Sequence, residues 1–513
     1  MNDKKKKIWS IVAGVLFVVA VLVTAGLLIK VNGLNMLPVK YLGLGILAIA
    51  VLLFVIFAVF FLVPANAKKI VKYVVRTLGI LLTISLISVD IVGIQMVNKF
   101  EETMNNLVED DDNSEVKIEE FIVGVYVLAE DKAESLEDVR RYNFAYSLAY
   151  DRNNTRRAIS SLEATLEREL KLEEYENVFK AVDAVLAGEK DAFILSSGYM
   201  DILEEQEGYE DISQKIKCVY ECVVTSETQI VEKEERPFDV TKDPFVVYIG
   251  GHDVAFAATR ANTDVNILAV VNPTTKQVVL ISTPRDFYVP ISVSEDGALD
   301  KLTHCGVYGV ECSMETLAKF YGVDIPYYMQ INFTGFIRMI DAIGGITVYS
   351  EKEFYSTNEG IYFKYGENEV NGEQALAFVR ERMQFSGGDR ARGEHQMQVI
   401  KGIIAKMSSG ALLTNYNQIL ESMGGYFKCG MSQEDIASLV KIQLNDMAKW
   451  NVQSYSVTGL GELAPTYSLP GMNVYVMVPD EATVDHAKTL IDMVFSGETI
   501  EEEDLVVPVE EEE

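Results

Sequence analysis

Basic residues are in short supply in this 513-residue chain: 45 lysines and arginines stand against 76 aspartates and glutamates, a formal net charge of −31. So acidic a protein excludes nucleic acid as a partner, because a phosphate backbone demands a basic face. Cysteine is scarce too, five in all. None has a histidine or cysteine neighbour at zinc-ligand spacing, so buried free thiols are expected. Cys305 and Cys312 lie close enough in sequence to bridge in an oxidising exterior, and Cys218 and Cys222, four apart, are expected to share a helix face. Charge is almost absent from three long stretches, Ile8–Ile29, Val39–Val63 and Leu78–Val97. Each has about 20 residues or more, enough to span ~30 Å of hydrocarbon at 1.5 Å per residue. A buried core helix rarely runs so far without charge, so three membrane crossings are expected.

Asp90 and Gln95 interrupt the third stretch. Asp90 lies about two turns from its outer end, where a satisfied interfacial carboxylate is expected rather than a functional intramembrane acid. Lys4–Lys7 precede the first stretch, and Lys68, Lys69, Lys72 and Arg76 separate the second from the third. The intervening loop holds only Lys30 and Lys40. Positive-inside bias therefore puts the N-terminus in the cytoplasm and everything after about Lys99 outside, making this a multi-pass protein of the cell membrane with extracellular C-terminal domains. Ala65-Asn66-Ala67 imitates a signal-peptidase site, but two long spans before it and lysines after it argue against cleavage.

The chain is longer than one core usually covers. Composition divides it into an anchor at 1–99, a linker at 100–120, an accessory domain at 121–226, a charged linker at 227–242, a larger domain at 243–497 and an acidic tail at 498–513. Short β-type runs alternate with amphipathic stretches in both exported domains. Phe121–Val127 and Ala192–Leu195 read as strands, Ile159–Leu172 and Tyr175–Leu186 as helices. The larger domain has strands at Phe245–Ile249, Val265–Asn272 and Gln277–Ser282. Helical periods cover Ser313–Tyr321, Phe333–Ile343, Gly372–Phe378 and Gln396–Met407. The fold class is therefore α/β: a three-helix transmembrane anchor, a small α/β accessory domain and an α/β domain whose central sheet is covered by helices.

In so acidic a chain, clustered arginines need a reason. Arg285 follows the strand Val278–Ile281 in a Ser-Thr-Pro-Arg-Asp turn, at the strand end where open α/β sheets bind ligands. Arg380 and Arg382 follow the helix Ala375–Phe378, and if that piece is extended they point the same way. Gly387-Gly388-Asp389-Arg390-Ala391-Arg392 opens the helix carrying Gln396. A helix N-terminus favours anions and guanidinium forks grip phosphate oxygens in pairs, so a strongly anionic ligand is expected. Surface ion pairing is the plainer alternative. Asp253 and Asp264, at the ends of neighbouring strands, suit a shared Mg²⁺, and equally capping or salt-bridge roles.

Thr263–Asn272, Ile281–Pro290, Asp300–Gly309, Tyr327–Val348, Asn371–Arg382 and Gly388–Gln396 together resemble the catalytic domain of the LytR-CpsA-Psr family, over about Pro244–Met407. The resemblance implies a phosphotransferase that moves an anionic glycopolymer (teichoic acid, capsule or another wall glycan) from undecaprenyl diphosphate to a peptidoglycan sugar hydroxyl at a Gram-positive-type wall. By similarity Arg285, Arg380, Arg382, Arg392 and Gln396 bind the diphosphate, and Asp253 and Asp264 hold Mg²⁺. Arg285, Asp389 and Arg392 are then the catalytic candidates. The family often has arginine where Asn262 stands; Arg260, two residues earlier, is the substitute candidate. It also often has arginine where His395 stands. Phe333, Phe336, Ile337, Ile340 and Ile343 sit at helical spacing and would line a channel for the lipid, or simply pack in a core. A lipid-binding scaffold without turnover and a diphosphate hydrolase are the rival activities. Ala184–Ala192 and Ser196–Ile202 resemble a segment of periplasmic solute-binding domains, from which no ligand residue carries over.

Overall fold

The computed structural model describes residues 3–62, 67–107, 116–149, 151–204, 206, 208–229, 238–252, 262–294, 296–385, 389–409, 418–419, 422, 426–469 and 471–507. They divide into two units. The first holds helices Asp3–Gly33, Val39–Phe61 and Lys69–Leu107, together with a fourth, Gln433–Asp446. The first three contain segments long and apolar enough to cross a membrane, Ile11–Gly33, Val39–Phe61 and Ile70–Asn105. Asp90 accepts a 2.5 Å hydrogen bond from Thr24, and both side chains are buried, so the carboxyl is satisfied between the first and third helices. Gln433–Asp446 reaches the loop after the first helix through Lys441, which donates to Asn35. Its Gln433 donates to Asn105 near the end of the third helix. That loop and that helix end therefore lie at the same end of the bundle.

The second unit begins with a five-stranded sheet in the order Lys171–Glu174, Asn143–Tyr146, Ala192–Ser196, Val116–Leu128, Ile216–Gln229. Three expectations fail here. The stretch 100–120 is not all linker, because the third helix runs to Leu107 and a strand starts at Val116. Helix Arg152–Thr165 ends before Leu172, and Lys171–Glu174 is a strand. Cys218 and Cys222 lie on a strand, not a helix, and a register shift opposite Val125–Tyr126 leaves Cys218 exposed and Cys222 buried. Cys305 and Cys312 are buried free thiols.

A six-stranded mixed sheet organises the rest, in the order Phe427–Cys429, Tyr327–Asn332, Phe245–His252, Val265–Asn272, Gln277–Ser282, Asn451–Ser456. Side chains alternate across a strand, and the two faces differ. Val246, Tyr248, Leu268, Val270, Val279 and Ile281 enter a core closed by helices Val310–Tyr321 and Glu481–Ser496. Phe179, Val182 and Leu203 of the accessory sheet's layer share a second core with Val307, Leu469 and Val476, so the accessory layer packs on the larger domain outside its six-stranded sheet. The acidic tail is only partly a tail: Ile500 is fully buried, its N–H donates to Gln277, and Glu502–Leu505 forms a 3₁₀ turn.

The opposite face lies under helix Asp389–Ser408. Ile267, Ala269, Val278, Leu280 and Met397 are buried there, while Val247, Ile249, Val265, Val271, Ile400 and Ile404 are only half-buried. Strand register extends this open strip, since Tyr327 pairs with Val247 and Met329 with Ile249, and both Tyr327 and Met329 are also half-buried.

Candidate active site

The site is built at the strand ends beside the first turns of Asp389–Ser408. Tyr248 Oη donates to Asn266 Oδ1 at 2.9 Å, and Asn266 Nδ2 donates to the Thr263 carbonyl at 3.1 Å. These bonds fix the turn that presents Asp264. Thr283 N–H donates to the Asn266 carbonyl, and Thr303 N–H to the Arg285 carbonyl, lacing the Thr-Pro-Arg-Asp turn to both neighbouring segments. Farther back, buried Asp300 accepts from Lys301 N–H, Ser468 N–H and Ser468 Oγ, and faces His304 Nδ1 at 2.6 Å. Burial alone would raise the Asp300 pKa; the histidine and hydroxyl outweigh it and hold the carboxyl below its ordinary value. Lys301 Nζ then pairs with Asp286 at 3.1 Å, next to Arg285.

Gly393 brings the helix close to the strand end. A Cβ there would stand 2.7 Å from Ser282 Oγ and 3.6 Å from Ser282 Cβ, so a side chain would require the serine hydroxyl to turn aside. Helical spacing puts Arg392 and Gln396 on one face. Both line a cleft with Asp264, Asn266, Thr283, Arg285 and Arg390.

At its centre Arg285 Nη1 lies 2.5 Å from Asp264 Oδ1, and Arg392 Nη2 lies 3.9 Å from the same oxygen and 3.5 Å from the Asp264 carbonyl. The two guanidiniums are 17% and 12% exposed, the carboxylate 31%. Arg285 Nε also lies 3.8 Å from Asp286 Oδ2. Two largely desolvated guanidiniums thus meet at one partly open carboxylate. Planar donors converging in this way suit an anion with several oxygens.

The other expected residues fall elsewhere. Helix Gly372–Arg380 includes Arg380, so the extended reading of that piece is wrong. The helix stops where buried Glu381 turns to accept from Thr357 N–H and Oγ1 and from Gln384 N–H. Arg380 is exposed, 3.7 Å from Glu359, with its guanidinium 5.3 Å from the Phe333 ring. Arg382 is exposed as well, and neither lines the cleft. Phe333, Phe336 and Ile337 are half-buried, whereas Ile340 and Ile343 are fully buried packing residues. Asp253 and Arg260 lie outside the described residues, as does the side chain of Asp389, whose backbone opens the helix. Arg390 was missed as a site residue, although it stands between Asp389 and Arg392 in the same first turn. Among the described residues no group of three or more histidine, cysteine or carboxylate side chains gathers for a metal. Asp264 alone, with its open face, fits Mg²⁺, which takes one or two carboxylates and completes its shell with phosphate oxygens and water.

A profile described as the LytR_cpsA_psr family matches residues 215–490. The chain belongs to the LytR-CpsA-Psr family. Within it, the polyisoprenyl-teichoic acid–peptidoglycan teichoic acid transferase TagU of Enterococcus faecalis is 32% identical over 45% of this chain and 74% of its own length. The TagU of Bacillus cereus is 33% identical over 44% of this chain and 71% of its own length. A crystal structure of B. subtilis TagV is similar at 26% identity, covering 50% of this chain and 99% of that one, with a TM-score of 0.43.

Proposed function

We propose that this LytR-CpsA-Psr protein transfers an anionic glycopolymer, with one phosphate, from an undecaprenyl diphosphate carrier to a sugar hydroxyl of peptidoglycan. The observation that carries this reading is the pairing of Arg285 and Arg392 around one carboxylate, on a sheet whose adjoining apolar face is left open. The names of the relatives, teichoic acid transferases acting on a polyisoprenyl carrier and peptidoglycan, support it.

The acceptor oxygen attacks the phosphorus next to the glycopolymer, and the bond from that phosphorus to the bridging oxygen breaks. Polyprenyl phosphate leaves with the bridging oxygen, and the acceptor's proton passes to a base or to solvent. In this step negative charge spreads over the non-bridging oxygens. Arg285 and Arg392 hold donors fixed and partly dehydrated where that charge develops, while Gln396 and Arg390 orient the diphosphate from the helix. Asp264 keeps the two guanidiniums together before substrate arrives. Mg²⁺, held by Asp264 and Asp253, would neutralise further charge on the phosphates. The half-buried strip of Val247, Ile249, Met329, Ile400 and Ile404 offers the isoprenoid tail an apolar bed. The positive-inside bias of the residues flanking the three apolar helices supports a wall-side position for this domain.

The test incubates the purified full chain in detergent with a synthetic glycopolymer on a lipid diphosphate, Mg²⁺ and a peptidoglycan oligomer. Transfer yields a phosphodiester-linked glycan and polyprenyl phosphate. An intact diphosphate would mark a receptor instead, and a free phosphorylated glycan a hydrolase.

A further inference from the structure

Four tyrosines stand on the surface of two short hairpins that the transfer chemistry does not use. Tyr355 and Tyr362 are directly opposed across strands Phe354–Tyr355 and Tyr362–Phe363, their rings 5.0 Å apart and 63% and 50% exposed. Tyr349 and Tyr365 meet 6.0 Å apart at the neighbouring hairpin of Ile346–Ser350 and Gly366–Val370, and are 43% and 66% exposed. Soluble proteins seldom leave large aromatic rings clustered in water without a partner to cover them.

The inner side of the same hairpin explains why it is held so firmly. Phe354 and Phe363 stack 4.9 Å apart beneath the tyrosines. Phe354 also lies 6.2 Å from His395, which precedes Gln396 on the site helix. Lys352 and Glu381 tie the hairpin to the segment that carries Arg382. One strand layer thus separates the exposed rings from the helix that grips the diphosphate.

The geometry points to this tyrosine ridge as the docking surface for the neutral sugar backbone of the acceptor glycan. Three properties select that occupant. Flat rings with hydroxyl tips give an amphipathic surface that matches a sugar's apolar C–H face and polar rim, at little conformational cost. Two of the hydroxyls are engaged, Tyr349 with Tyr365 at 3.2 Å and Tyr362 with Glu353 at 3.2 Å, so these exposed rings are held in place before a ligand arrives. The charge is wrong for an anion: between residues 346 and 370 five glutamates stand against two lysines. A phosphate-rich donor polymer and an anionic lipid surface are both repelled there, whereas an uncharged glycan is not. The inference rests on the transfer reading only for the glycan's role as acceptor.

The experiment co-sediments the full chain in detergent with insoluble peptidoglycan sacculi stripped of their anionic polymer, with no lipid substrate present. Changing Tyr349, Tyr355, Tyr362 and Tyr365 together to alanine is expected to weaken sacculus binding at least tenfold. The matching set of phenylalanines keeps most of the binding, because the rings do the stacking. Unchanged unfolding midpoints exclude a folding defect, since all four side chains are exposed. Unaltered sedimentation of the alanine variant would overturn the proposal. So would a variant that keeps sacculus binding but loses binding to phosphatidylglycerol vesicles, since the ridge would then be a membrane contact. Because no turnover is measured, a protein that binds sacculi through the ridge yet transfers nothing loses the transfer reading alone.

Discussion

The two faces of the six-stranded sheet are made of the same kinds of residue and are packed differently. One face seals Val246, Tyr248, Leu268, Val270, Val279 and Ile281 under two helices. The other buries Ile267, Leu280 and Met397 at its centre and leaves Val247, Ile249, Ile400 and Ile404 half-open along its flank. A protein stabilised only by apolar burial gains nothing from that flank, where each exposed methylene forgoes about 0.8 kcal/mol. The closed face holds the fold together. The half-buried one is the bed proposed for an isoprenoid tail, beside the arginine cleft proposed for its anionic head.

The sharpest break in this comparison comes at the head group. Arg285→Ala or Arg392→Ala removes a donor that acts on developing charge, and transfer is expected to fall by about 10²- to 10³-fold or more. Arg→Lys keeps the charge but not the planar two-point grip, so it should restore only part of the rate. Unfolding should change little in all four variants, because Asp264 keeps one guanidinium partner. Equal activity in the alanine variants would detach the cleft from the chemistry.

The faces themselves can be set against each other. Ile281→Ala, on the sealed side, should cost about 2–5 kcal/mol of unfolding free energy. Ile249→Ala and Ile400→Ala, on the open side, should cost roughly 1 kcal/mol but weaken polyprenyl phosphate binding by about tenfold. Denaturant titration and a lipid-binding assay read the two effects separately.

The site helix has a third environment, its outer flank, where His395 is buried among Phe354, Phe378 and Phe385. Burial lowers the His395 pKa from 6.5 to about 4. The unfolded chain takes up a proton below pH 6.5 that the folded chain refuses until about pH 4. Stability is therefore intact above pH 6.5 and lost as the pH falls towards 4, by up to roughly 3 kcal/mol. His395→Phe should flatten that part of the pH profile. The smallest effect is expected of Gly393→Ala, whose methyl meets Ser282. Because the serine hydroxyl can turn aside, transfer should fall only slightly while the unfolding midpoint stays within a few degrees.

Much of this was legible in the residues. The three charge-poor stretches announced the spans, and a strand running into Thr-Pro-Arg-Asp put Arg285 at a strand end. The spacing of Arg392 and Gln396 put both on one helical face. What the chain order concealed was set by distant contacts. Arg380 looked like part of an extended piece because nothing local marks the helix end, which Glu381 fixes by turning towards Thr357. Asp264 read as a metal ligand or an ion-pair partner, and only packing reveals that Arg285 and Arg392 reach the same carboxylate. Ile337 and Ile340 share one apolar period, yet one is half-buried and the other sealed. Periodicity names a face and cannot say how tightly it is covered.

The most direct measurement is a structure of the full chain with a long-chain polyprenyl phosphate bound. The account expects phosphate oxygens between Arg285 and Arg392, and isoprene units lying along Val247, Ile249, Ile400 and Ile404. Phosphate density away from both arginines, or a tail that leaves those four side chains untouched, would contradict it.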